Sequence, residues 1–137
     1  MPKIQWIQAA LFWQAKLADI LYLHLEIVMG AALFVSIKDK PADLDTFMSG
    51  KTLSRNWNVL DVVATEIDVP PLSKLCNNAW KSPDKGLPVF EKYLAFATAN
   101  PDRFQNSEDL KLDLADVLRL INEAKRLGTK WRLLLDY

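Results

Sequence analysis

Apolar side chains in the first quarter of the chain recur in three adjacent seven-residue rows. One row is Ile4, Leu11, Ala18, Leu25 and Ala32. The next is Trp6, Trp13, Ile20, Ile27 and Phe34, and the third holds Ile7, Leu21, Val28 and Val35. Residues seven apart share one side of a helix, and alternation of period two is absent, so the pattern predicts a helix over residues 4–37. Gln5, Gln8, Asp19 and Glu26 form its narrower polar face. A stripe this wide exceeds what one packed neighbour covers. The helix is expected to be enclosed by several others or shared with a second chain, and Trp6, Trp13 and Phe34 are its candidate interface residues.

The tract closes at Lys38-Asp39-Lys40-Pro41, where proline disfavours helical geometry at the preceding residue. A short helical turn capped by Asp43 is expected through Met48, and Ser49-Gly50-Lys51-Thr52 reads as a loop. Apolar spacing predicts helices over residues 54–67, 72–81 and 89–99, separated by Asp68-Val69-Pro70-Pro71 and by the turn Ser82-Pro83-Asp84-Lys85-Gly86. A last long helix begins at an N-cap on Ser107 and is read onward through Gly128, with Leu110, Leu114, Val117, Leu118, Ile121, Leu127 and Leu134 on its apolar face. Acidic residues near its start and basic residues near its end complement the helix dipole. No segment alternates as a strand, no repeat is visible and no linker divides the chain. The expected fold class is all-α: one domain over residues 1–137, a helical bundle of about six helices with a long apolar N-terminal helix.

Composition narrows the partners. The 137 residues carry 17 Lys plus Arg against 17 Asp plus Glu, so no net field draws the chain to nucleic acid or to an acidic surface. Any electrostatic contact must come from a local patch. Cys76 is the only cysteine, which excludes an internal disulfide and a multi-cysteine metal site, and fits a reducing, cytoplasmic setting. The first residues lack the pattern of a secretory signal or a lipidation site. Residues 20–37 contain only His24 and Glu26 as ionisable groups, at the lower length limit of a membrane helix. A carboxylate there is costly in lipid, and the other helices need this one as their core, so no membrane span is expected.

Candidate chemistry is sparse. Gly50-Lys51-Thr52 mimics the end of a phosphate-binding loop, but Asp45 stands where the first glycine of that motif belongs. His24 is the only histidine, which argues against a triad and leaves carboxylates to complete any zinc site; no cofactor or metal is expected. Residues 63–80 have the outline of a helix-turn-helix, with two prolines in the turn and only Lys74 and Lys81 to offer a duplex. The pairs Asp43/Asp45 and Asp113/Asp116 read as charges at helix starts rather than as acid–base groups.

The basic C-terminal cluster offers the best nucleic-acid candidates: Arg119, Lys125, Arg126, Lys130 and Arg132. On a helix continuing through Gly128, Arg119, Arg126 and Lys130 align on one face as a ridge able to follow a phosphate backbone. Lys51 and Arg55, and Lys81, Lys85 and Lys92, are further local positives. The leading expectation is a non-enzymatic helical interaction or scaffold subunit of a larger assembly or homo-oligomer, bound to a protein partner or to itself. The alternative is a small helical subunit of a nucleoprotein complex contacting RNA or single-stranded DNA through that ridge. RNA-guided defence complexes contain small all-α subunits of this size, an analogy of architecture with no motif matched.

Overall fold

The computed structural model describes residues 31–136, and in them the end of the apolar tract is a strand rather than a helix. In β1 (Ala32–Ile37) the side chains of Leu33, Val35 and Ile37 are buried while Ala32, Phe34 and Ser36 stay partly exposed. It pairs antiparallel with β2 (Trp131–Asp136), placing Leu33 opposite Leu135, Val35 opposite Leu133 and Ile37 opposite Trp131. Between the strands come five helices: α1 (Lys51–Arg55), α2 (Trp57–Ile67), α3 (Leu72–Leu75), α4 (Leu87–Ala99) and α5 (Ser107–Arg126). The described fold is therefore mixed, mostly helical with a two-stranded antiparallel sheet, and this overturns the all-α bundle of about six helices. Residues 4–30 of the expected first helix, with Trp6, Trp13 and His24, lie outside the described residues.

The second correction falls on the last helix. It does not continue through Gly128, because Gly128 sits at φ 66°, where any residue with a Cβ is strained by about 1–2 kcal/mol. The Gly128 N–H donates to the Lys125 carbonyl at 3.1 Å and the Thr129 N–H to the Ala124 carbonyl at 2.9 Å. These two bonds close the helix end and send the chain back as β2.

Smaller differences have equally local causes. The expected helix over residues 54–67 begins earlier, at Lys51, and breaks at Asn56. That side chain is buried and fully partnered: its amide donates to the Thr52 and Gln105 carbonyls, and its oxygen accepts from the Gln105 N–H, all at 2.9 Å. Residues 43–48 form no helical turn, since the Phe47 N–H donates to the Asp45 carboxylate and Arg119 donates to the Asp45 and Phe47 carbonyls. The helix expected over residues 72–81 ends at Leu75, and Lys81 instead bridges to Trp131 through both main-chain bonds. Four residues are too few for a recognition helix, so the helix-turn-helix outline does not form.

The core lies between the inner face of the ribbon and the helices. Trp131 is fully buried, its ring edge-on to Phe90 at 6.1 Å and its indole N–H donating to the Ser82 carbonyl at 2.9 Å. Phe90 also meets Tyr93, whose hydroxyl donates to the Pro70 carbonyl. Leu110, Leu114, Val117, Leu120 and Ile121 bring the inner side of α5 into the same cluster. Burying such side chains contributes about 1.5–3 kcal/mol each, which is what holds a two-stranded sheet too small to stand alone. No described helix is long and apolar enough to cross a membrane.

Candidate functional site

The phosphate-loop look-alike is settled by what occupies it. Gly50 adopts φ 67° ahead of α1, and an added Cβ there would come within 1.7 Å of the Leu33 carbonyl oxygen, so only glycine fits. The Gly50 and Leu53 N–H groups donate to the Asp113 carboxylate at 3.2 and 3.0 Å. A buried side chain from α5 thus takes the place an anionic ligand would need. Burial pushes the Asp113 carboxyl above its ordinary value, opposed by the Leu53, Gly50 and Thr52 amides that stabilise its charge. Asp113 is therefore a structural cap for α1 rather than a helix-start charge.

The basic residues sort into two groups. Arg119 pairs with Asp116 and Arg126 with Glu123, each at i, i+3 on α5. Lys130 lies beyond the end of α5 at Arg126, so Arg119, Arg126 and Lys130 do not align on one helical face. Lys85, Lys125 and Lys130, by contrast, have no carboxylate partner among the described residues. Arg132 projects from the outer face of β2, its guanidinium 4.2 Å from the Trp80 ring centre and its Nε without a hydrogen-bond partner.

The Lys81–Trp131 bridge joins two sequence runs, Trp80-Lys81 and Lys130-Trp131-Arg132, into one surface. Beside it opens a cleft of about 590 Å³ whose lining includes Trp80, Lys81, Lys85 and Lys130, with Pro70 and Leu75 as apolar wall. Among the described residues no carboxylate lines it. A second hollow of about 300 Å³ shares Ser82 and Lys130 and adds Lys125 and Asp84. The Lys81 ammonium donates to the Asn77 side-chain oxygen at 2.7 Å and to the Ala79 carbonyl at 3.2 Å. Burial lowers its pKa, Cys76 opposes the shift, and Lys85 lowers it further. The Cys76 thiol is itself pushed up by burial, which makes it a poor nucleophile.

A different surface surrounds Phe34. On the outer face of the ribbon Phe34 lies opposite Leu134. A groove of about 260 Å³ runs beside it, lined by Ala32, Phe34, Thr46, Phe47, Met48 and Asp136. Phe47 is 78 % exposed, the most open large apolar side chain among the described residues. Among the described residues the neighbouring edge of β2 is also unfilled. Past the Lys81–Trp131 bridge, the register turns the main-chain groups of Leu133 and Leu135 away from β1, with no described partner.

Among the described residues no group of three or more His, Cys, Asp or Glu side chains could hold a metal ion. Trp6 and Trp13 lie outside the described residues, so of the three expected interface residues only Phe34 is placed. In the cleft Lys81, Lys85 and Lys130 are legible in the sequence as local positives, whereas Trp80 carries no such signal by itself. A tryptophan beside a cation in both runs is the pattern that marks it. Comparison with family models, curated proteins and solved structures finds no match to this chain.

Proposed function

We propose that this chain is a non-enzymatic interaction subunit of a homo-oligomer or larger assembly, and that it acts by binding. The observation that carries the reading is the apolar outer face at Phe34, opposite Leu134 and flanked by the exposed Phe47. Aromatic side chains at the centre of a partly open apolar surface are the usual anchors of protein contacts. The main-chain edge of β2 beside that face, without a partner among the described residues, supports the same reading, since a partner strand can add there.

Sedimentation velocity of the full chain over a wide concentration range tests this. Self-association is expected, and Phe47→Asp, at an exposed position outside any helix or strand, should shift the distribution toward monomer with an unchanged circular dichroism spectrum. A chain that stays monomeric throughout, with tryptophans shielded from an aqueous quencher, would overturn the proposal.

A further inference from the structure

We propose that the cleft formed by Trp80, Lys81, Lys85 and Lys130 binds single-stranded nucleic acid, its lysines on the phosphates and Trp80 against a base. This function goes beyond the interaction surface at Phe34 and rests on different residues.

Charge is the first observation. The chain as a whole is neutral, yet among the described residues the cleft and the hollow beside it gather Lys81, Lys85, Lys125 and Lys130 against the single carboxylate of Asp84. Arg103, Arg119 and Arg126, by contrast, each stand paired with an acid. Lysines crowded without counter-charges repel one another, and an anion entering the cleft relieves that repulsion. Folding does not need the crowding, because Lys85, Lys125 and Lys130 are exposed and fill no core position.

The aromatic wall narrows the ligand class. Trp80 is half-buried and carries Arg132 over its ring at 4.2 Å, so the indole is held in place while lining the cleft. Its N–H, unlike those of Trp57 and Trp131, has no hydrogen-bond partner among the described residues. A positively charged groove with an aromatic platform suits a strand whose bases are unstacked and whose backbone is anionic. A duplex hides its base faces, and an acidic peptide would engage the lysines but have no use for the indole. The apolar side chains of Pro70 and Leu75 complete a wall against which a flat ring can pack.

The test is fluorescence anisotropy with the full chain and a short fluorescein-labelled oligothymidylate, titrated at several salt concentrations. Three lysines engaging phosphates give a slope of log affinity against log salt of about −2. Lys85→Glu combined with Lys130→Glu, both at exposed positions, should weaken binding by about tenfold or more and flatten that slope. Trp80→Ala should weaken it about five- to hundredfold, with Trp80→Phe retaining most of the affinity. Circular dichroism of each variant separates loss of binding from loss of fold. Arg126→Glu removes a cation already paired with Glu123 and should leave binding nearly unchanged. Three results would overturn the proposal: no binding at low salt, binding indifferent to the Lys85/Lys130 reversal, or an equal loss from Arg126→Glu. Competition by poly-L-glutamate as effective as unlabelled oligothymidylate, with Trp80→Ala silent, would instead assign the cleft to acidic polypeptides and sink the nucleic-acid reading.

Discussion

Replacing Asp113 by alanine removes the acceptor that α5 presents to the start of α1. Two amides, those of Gly50 and Leu53, then lose their partner in surroundings where both residues are buried. A buried donor left unsatisfied costs about 1–3 kcal/mol, so the pair sets a range of about 2–6 kcal/mol. The native carboxylate is itself costly to bury, as its raised pKa records, and relief of that cost places the expected loss in the lower half of the range. Against a total stability of about 5–15 kcal/mol for a domain this size, the effect is large. Urea unfolding followed by circular dichroism measures it, and an Asp113→Ala midpoint within about 0.5 kcal/mol of wild type, at equal slope, would refute the capping role. Asp113→Asn adds a sign test. Because the folded pKa is raised, the protonated acid is the form that folding favours: its contribution is complete below the ordinary aspartate value and is lost as pH rises through the folded one. The stability of wild type minus that of Asp113→Asn should therefore shrink as pH climbs from about 4 and then level off. A difference that grows with pH would show that the amides, and not burial, dominate.

Asn56→Ala removes three hydrogen bonds that join the α1–α2 junction to Gln105, and should cost about 2–4 kcal/mol in the same urea assay. Gly50→Ala forces a Cβ into the Leu33 carbonyl and should abolish folding by circular dichroism, whereas Gly128→Ala meets nothing within 4 Å and should cost only about 1–2 kcal/mol of backbone strain. Arg103 holds the Glu66 carboxyl below its usual range, so the stability from this pair is present above the ordinary glutamate value and lost as pH falls through the lowered one. Glu66→Gln should accordingly narrow the gap to wild type on acidification, with chevron or equilibrium urea curves at neutral and acid pH as the check.

Much of the helical layer is legible in the sequence. Apolar spacing marks α2, α4 and α5, and prolines or Asp68 mark where the chain must turn. The ribbon is not legible, for a physical reason: both strands carry apolar side chains on their outer faces as well as their inner ones. Phe34 sits between Leu33 and Val35, and Leu134 between Leu133 and Leu135, so the two-residue period is erased. Gly128 argues against a longer α5, since glycine costs about 1 kcal/mol inside a helix and little past its end. The candidate site divides in the same way. The C-terminal concentration of cations is visible directly, and the pairing of Arg119 with Asp116 and of Arg126 with Glu123 is implied by their spacing. That Lys81 and Lys85 join Lys130 depends on a bridge between residues fifty positions apart, which no local pattern reports.

The pairing of β1 with β2 also sets an order of events. Ile37 and Trp131 are over ninety positions apart, and closing so long a loop costs about 2 kcal/mol more than closing one of about ten residues. The helices between them can meet through much nearer contacts, which favours their assembly before the ribbon zips. During synthesis the edge of β1 that faces β2 would wait unpaired until Trp131–Asp136 has left the ribosome, and a nascent chain lacking that strand offers a sticky edge to whatever holds it. Pulse-labelled hydrogen exchange during refolding should accordingly show amides of α5 protected before those of Phe34 and Leu134.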